Sequence, residues 1–232
     1  MSLFAIADTH LSFSAREKTM EIFPGWENYE AQLEENWRTL VREEDAVVIA
    51  GDVSWAMHLS DTLADFRFLH SLPGTKILLK GNHDYWWETM RKMESFLAEN
   101  GLDSIKLLFN NAYRAGDFAV CGSRGWFYDD SAGADKKVLL REAGRLRTSI
   151  EAARALGGEP VAFLHYPPVT RVKECPEMMQ VLRETGIRRC YYGHLHAQSA
   201  AIAVRGDYDG IDFHYISADQ LGFCPIPVDS RL

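Results

Sequence analysis

Five short apolar runs in this 232-residue chain each end directly on a residue able to hold a metal ion. Residues 4–7 lead into Asp8-Thr9-His10, 46–50 into Gly51-Asp52, and 77–80 into Gly81-Asn82-His83-Asp84. Residues 161–164 lead into His165, and 190–192 into Gly193-His194-Leu195-His196. Runs this short and this rich in Val, Ile and Phe read as buried strands, and residues 118–121 make a sixth.

Longer stretches of helical period lie between them. In residues 27–42, Tyr29, Leu33, Trp37, Leu40 and Val41 recur every three or four positions, so one face is apolar. Residues 61–72 place Leu63, Phe66 and Leu69 on one side, with Ser60 or Asp61 as N-cap and Pro73-Gly74 as the stop. Residues 88–100 end at Gly101, where a left-handed C-cap is wanted, and 135–156 end before Gly157-Gly158. Residues 201–205 and 211–217 flank an Asp209-Gly210 turn, which predicts an antiparallel hairpin.

Strands alternating with helices predict a layered α/β fold. In a largely parallel sheet the C-terminal strand ends share one edge, where such folds build their sites. The polar residues that close the apolar runs are therefore expected to converge.

The length allows a substantial core, and no repeat or linker divides the chain, so one domain over 1–232 is expected. A formal charge of -8 opposes a protein that grips nucleic acid through its general field. Cys121, Cys175, Cys190 and Cys224 form no C-x-x-C pair, so neither a zinc knuckle nor a disulfide framework is indicated, and a reducing cytoplasm is expected. No stretch approaches the roughly 20 apolar residues of a membrane span, and no basic leader precedes residue 4; neither membrane insertion nor secretion is expected.

The candidate ligands are Asp8, His10, Asp52, Asn82, His165, His194 and His196. Carboxylate, amide oxygen and imidazole suit manganese, iron or zinc, and the lack of cysteine argues against structural zinc or iron-sulfur chemistry. Seven groups exceed what one ion uses beside water and substrate, whereas two ions roughly 3.5–4 Å apart would use them. Taken singly, each is an ordinary turn or cap residue. His58, His70 and His214 fit no part of the pattern, and Asp207, Asp209 and Asp212 belong to the hairpin rather than to a calcium loop, which needs a Glu that is not there.

The ordered series D-x-H, G-D, G-N-H-D, a single His and G-H-x-H resembles the calcineurin-like metallophosphoesterase superfamily, over residues 4 to 196. The resemblance implies a four-layer sandwich, two mainly mixed β-sheets packed together and flanked by helices, with no separate cap domain. It implies Asp8, His10 and His196 on one divalent ion, Asn82, His165 and His194 on a second, and Asp52 bridging them. His83 is implied as general acid or donor to a phosphoryl oxygen, oriented by Asp84. The implied activity is hydrolysis of a small-molecule phosphomonoester or phosphodiester by a metal-bridging hydroxide. A non-catalytic scaffold of the same fold and a nuclease are the alternatives.

Trp55, three residues beyond Asp52, and Arg124, in Gly122-Ser123-Arg124-Gly125, are candidate substrate contacts. A guanidinium there could hold phosphate bidentately or serve a structural ion pair. Tyr85-Trp86-Trp87 and Trp126-Phe127-Tyr128 could wall a cleft or simply pack the sheet edge. The loops at 11–26 and 122–135 are candidate rims.

Overall fold

Side chains alternate across a strand, and each sheet here uses both of its faces. The computed structural model describes residues 1–126 and 136–229. Strands β1 (Leu3–Ile6), β2 (Ala46–Ala50), β3 (Thr75–Leu79) and β4 (Ile105–Leu107) lie side by side in that order, all parallel. Strands β5 (Tyr113–Ala115), β6 (Phe118–Ser123), β7 (Glu159–Leu164) and β8 (Arg189–Tyr192) open a second sheet, in which β6, β7 and β8 are parallel and β5 is antiparallel. Strand β9 (Gly206–Tyr208) pairs antiparallel with β10 (Ile211–Tyr215), and β10 lies parallel to β8. Strand β11 (Ile226–Pro227) returns antiparallel to the outer edge of β1. Both sheets are thus mixed, with five and six strands among the described residues.

Phe4, Ile6, Val47, Ile49 and Leu78 point outward from the first sheet. They pack with α1 (Tyr29–Leu40), α2 (Leu63–Ser71) and α3 (Met90–Glu99) through Trp37, Phe66 and Leu97. Ala119, Cys121, Ala162, Leu164 and Cys190 do the same for α4 (Lys136–Leu156) and α5 (Pro176–Glu184), meeting Leu139, Leu146, Ile150, Met178 and Leu182. The facing sides of the two sheets form a third cluster, in which Ala5, Ala46 and Ala50 share space with Phe118, Phe163 and Tyr191. Small residues beside large ones let the layers interlock at interior density, and the Phe163 and Tyr191 rings stack at 5.2 Å. The expected four-layer sandwich is therefore the observed one.

Several local expectations change. The turn at Asp209-Gly210 forms, with φ of 58° and 76°, and sets Tyr208 opposite Ile211. The strand expected at 201–205 does not form: Ala197–Ile202 is a short 3-10 helix, and pairing starts only at Gly206. The expected cap at Ser60 or Asp61 is replaced by a 3-10 turn, Leu59–Thr62, that leads into α2 without a side-chain cap. Helix α5, with Pro176 in its first turn, was not anticipated. Gly101 takes the left-handed conformation expected of it, φ 66°. Phe127, Tyr128 and Asp135 lie outside the described residues. No helix among the described residues is long and apolar enough to cross a membrane.

Lys76 is buried in β3, and its ammonium donates to the carbonyls of Leu72 and Gly74, both at 2.6 Å, closing the turn after α2. Burial pushes its pKa down from 10.5 to about 8. Between those values the unfolded chain holds a proton that the folded protein has released, so stability rises with pH there. Relative to Lys76→Met, the wild type is expected to gain about 1–2 kcal/mol between pH 7.5 and 10 in urea unfolding. Parallel pH profiles for the two proteins would refute the assignment.

Candidate metal centre

Backbone strain and close glycines aim the ligands. Asp8, His10, Asp52 and His194 all have positive φ, 59°, 43°, 51° and 74°. That conformation costs a non-glycine residue roughly 1–2 kcal/mol and persists where surrounding structure imposes it. The chain after β1 runs alongside the chain after β2, with Asp8 N–H donating to Gly51 O and His10 N–H to Asp52 O, both at 2.9 Å. A Cβ on Gly81 would occupy the space of the Asp52 carboxylate, and one on Gly193 that of the Asp8 carboxylate. A Cβ on Gly51 would lie 2.6 Å from His165 Nδ1. Each motif glycine stands where a neighbouring ligand needs the room.

The structure brings together residues from both sheets. Asp8, His10 and His196 form one group and Asp8, Asp52 and His165 another; within each, the ligand atoms lie within 4.8 Å of one another. Asp52 Oδ2 lies 3.8 Å from His10 Nε2 and 3.4 Å from His165 Nε2. Asn82 Oδ1 sits 2.7 Å from His165 Nε2. His194 stands outside both groups, its ring 5.1 Å from that of His165 and 4.3 Å from that of Tyr166, while its N–H donates to Asp8.

The donor set fits cations. His165 Nδ1 faces the carbonyl of Ala50 at 3.2 Å, and a carbonyl only accepts, so the proton sits on Nδ1. The Nε2 lone pair then faces Asn82 Oδ1 at 2.7 Å and Asp52 Oδ2 at 3.4 Å, three electron-rich atoms aimed at one point where a cation would fit. His196 is also held from behind: its Nδ1 faces Asp219 at 2.9 Å, and its buried Nε2, 3.5 Å from Asp8 Oδ1, has no hydrogen-bond partner among the described residues. A carboxylate behind an imidazole is the usual support of a metal ligand.

The electrostatics are those of crowded, buried charge. Burial and the Asp8 carboxylate push Asp52 up to about 8, against the N–H groups of His83 and Asn82. Burial also raises Asp8, but the imidazoles of His196, His165 and His10 outweigh it and hold its carboxyl well below the usual range. Burial pushes His10 and His165 down, and burial with the His165 ring takes His194 to about 3. At His196 the Asp8 and Asp219 carboxylates overcome burial and raise it to about 10. A bound cation relieves the repulsion between Asp8 and Asp52.

Asp84 does not meet the His83 ring, as had been expected. Its fully buried carboxylate accepts from the N–H groups of Asp52, Val53, Ser54 and Gly81 at 2.7–3.3 Å, and from the Trp86 indole at 3.0 Å. It therefore ties the loop after β2 to the loop after β3. His83 is positioned by its own backbone, whose N–H donates to Asp52 Oδ1 at 2.8 Å, while its ring packs on Trp55 at 4.7 Å. Its Nδ1 is buried without a partner.

Trp55 also stacks on His10, at 4.8 Å and 19°, and so walls the centre. Trp86 is buried packing, whereas Tyr85 is exposed. The Arg124 guanidinium lies 3.6 Å from Glu142. Three residues were missed in the sequence. Ser217 donates to Asp8 Oδ2 at 2.6 Å, Asp219 holds His196, and Trp26 meets both His10 and His196 edge-on at 5.8 Å. Reading 211–217 only as a hairpin strand hid the fact that its end reaches the ligand edge.

Replacing Gly81 with Ala should displace both the backbone and the carboxylate of Asp52 without removing any candidate ligand. Calorimetric titration with Mn²⁺ is expected to show affinity reduced about 10–100-fold in folded Gly81→Ala. Unchanged affinity would remove Asp52 from the centre.

The family model for calcineurin-like phosphoesterases matches residues 1–198. No functionally curated protein matches the chain. Several solved structures resemble it along nearly their whole lengths. AQ665 from Aquifex aeolicus, a protein of unknown function, is 16% identical with a TM-score of 0.53, covering 97% of this chain and 95% of its own. Phosphopantetheinyl hydrolase (PptH) from Mycobacterium tuberculosis is 16% identical at 0.54, covering 99% and 96%. TT1561 of Thermus thermophilus is 13% identical at 0.57, covering 99% and 98%. At these identities the likeness is one of fold.

Proposed function

Because the chain belongs to the calcineurin-like phosphoesterases, we propose that it hydrolyses small-molecule phosphomonoesters or phosphodiesters using two divalent ions, manganese, iron or zinc. Asp8, His10 and His196 would hold one ion, and Asn82, His165 and His194 the other. Asp52 would be shared between them. The observation that carries this reading is the convergence of atoms able to ligate a metal: Asp52 Oδ2 lies between His10, from one set, and His165, from the other. Asp8 belongs to both close groups and supports a shared centre as well.

Divalent ions bound there supply a water acidic enough to act near neutral pH and positive charge for the phosphoryl oxygens. The protein's own groups do the rest. Asp84 and the motif glycines hold the carboxylates of Asp52 and Asp8 in place before substrate arrives. His83 stands beside Asp52, and burial keeps its imidazole below the ordinary histidine value. In the free protein it is therefore neutral at pH 7, suited to donating an N–H to a phosphoryl or departing oxygen. Trp55 gives a flat apolar wall on the same side. The formal charge of -8 favours a small-molecule phosphoester over nucleic acid. All four cysteines are free, in keeping with a reducing cytoplasm.

The test is turnover of p-nitrophenyl phosphate and bis-p-nitrophenyl phosphate by metal-stripped protein resupplied with Mn²⁺. Mn²⁺ is expected to restore activity, with His83→Ala lowering kcat by roughly 10²–10³-fold and Asp52→Asn by at least as much. A folded, Mn²⁺-loaded protein inert toward both esters would count against the enzyme and favour a scaffold.

A further inference from the structure

Next to the metal centre lies a second feature of different chemistry. A cavity of about 350 Å³ opens between the ends of β3 and β6 and the first turns of α4. Its rim carries four cations, Lys80, Arg124, Arg141 and Arg145, against the carboxylates Glu88 and Glu142. Among the described residues this is a local excess of positive charge, in a chain of net charge -8. Glu142 is buried and accounts for two of the cations, since Arg145 donates to it and Arg124 lies 3.6 Å away. Glu88 pairs with Lys92, outside the cavity. Among the described residues neither the Lys80 ammonium nor the Arg141 guanidinium has a hydrogen bond or ion pair, and the buried Nε of Arg124 has no partner. Clustered cations repel one another, and an anion among them removes that cost. Trp87 and Phe109 line the same cavity, so a carbon skeleton finds apolar surface beside the charges.

The cavity shares a wall with the metal centre. Lys80 immediately precedes Gly81-Asn82. Ser123, next to Arg124, pairs with Leu164, next to His165. Tyr166 donates its backbone N–H to Arg124 O at 2.9 Å and lays its ring 4.3 Å from that of His194. The cations thus stand at the ligand edge: Lys80 is two residues before Asn82 on one chain segment, and Arg124 lies beside His165 across the β6–β7 pair.

We infer that this cavity receives a second phosphate of the substrate, so that the substrate class is a small molecule bearing two phosphate groups, one at the metal centre and the other among Lys80, Arg124 and Arg141. The inference rests on the phosphoesterase reading. Guanidinium forks match a phosphate in a way that the structural pairing with Glu142 does not require of Arg141. A volume of this size falls in the range of pockets that hold small molecules, roughly 300–1,000 Å³.

The test uses full-length, Mn²⁺-loaded protein and its exposed-site variant Arg141→Glu. Adenosine 3′,5′-bisphosphate and adenosine 5′-monophosphate are compared as inhibitors of p-nitrophenyl phosphate turnover. The wild type is expected to prefer the bisphosphate about tenfold or more, and Arg141→Glu to lose that preference. No preference in the wild type, or a preference untouched by Arg141→Glu, overturns the inference. A second arm, independent of turnover, titrates inorganic pyrophosphate calorimetrically; affinity about tenfold weaker in Arg141→Glu supports the cavity, and equal affinity overturns it. Arg141-dependent pyrophosphate binding without any turnover would sink the phosphoesterase reading and leave the anion cavity standing. Turnover without preference would do the reverse.

Discussion

Ala7 joins the two sheets at their C-terminal edge: its N–H donates to Ile216 O at 2.8 Å, and its carbonyl accepts from Ala218 N–H at 2.9 Å. Everything at the candidate centre depends on this seam. Asp8, His10, Asp52 and Asn82 come from the first sheet, and His165, His194 and His196 from the second. Packing of the facing sides alone would leave their separation loosely defined. The backbone bonds at Ala7 set it, and Ser217, in the same segment, closes on Asp8 Oδ2.

Around that seam, buried acceptors are held by donors that belong to other strands. Asp84 gathers four backbone N–H groups and an indole, and Asp8 receives His194 N–H and the Ser217 hydroxyl. Each such bond to a charged acceptor contributes more than a neutral one, which is what allows four ligand residues to stay in the left-handed region. Pre-organisation of this kind keeps the candidate ligands in position and would lower the reorganisation needed for an ion to bind.

The aromatic residues divide between the two roles open to them. Trp86 and Trp37 are fully buried core. Trp26 and Trp55 press on His10 from different directions and fix its plane, leaving its Nε2 facing Asp52. Asp219 sets the ring of His196 through a hydrogen bond instead. Two histidines of one group are thus oriented by different physics, packing in one case and charge in the other.

The apolar runs and the residues that end them made the layered fold and the ligand edge legible, because a parallel strand carries its sequence order directly into space: whatever follows the run stands at the edge. The same local logic made the Asp209-Gly210 turn and the Gly101 cap readable. It failed where position depends on a partner far along the chain. Nothing near Asp84 in sequence reveals that three of its five donors lie at 52–54, so the contact expected with its neighbour His83 gave way to a link between two loops. Asp219 and Ser217 carried no motif, since their role exists only once β10 lies parallel to β8 and ends beside β1. The basic cavity is of the same kind, assembled from strand ends and from one face of α4. Local pattern determined which polar side chains stand together at one sheet edge, whereas only tertiary packing decided what each of them faces, because buried hydrogen bonds and charge pairs form between whichever groups the sheets and helices bring within about 3 Å.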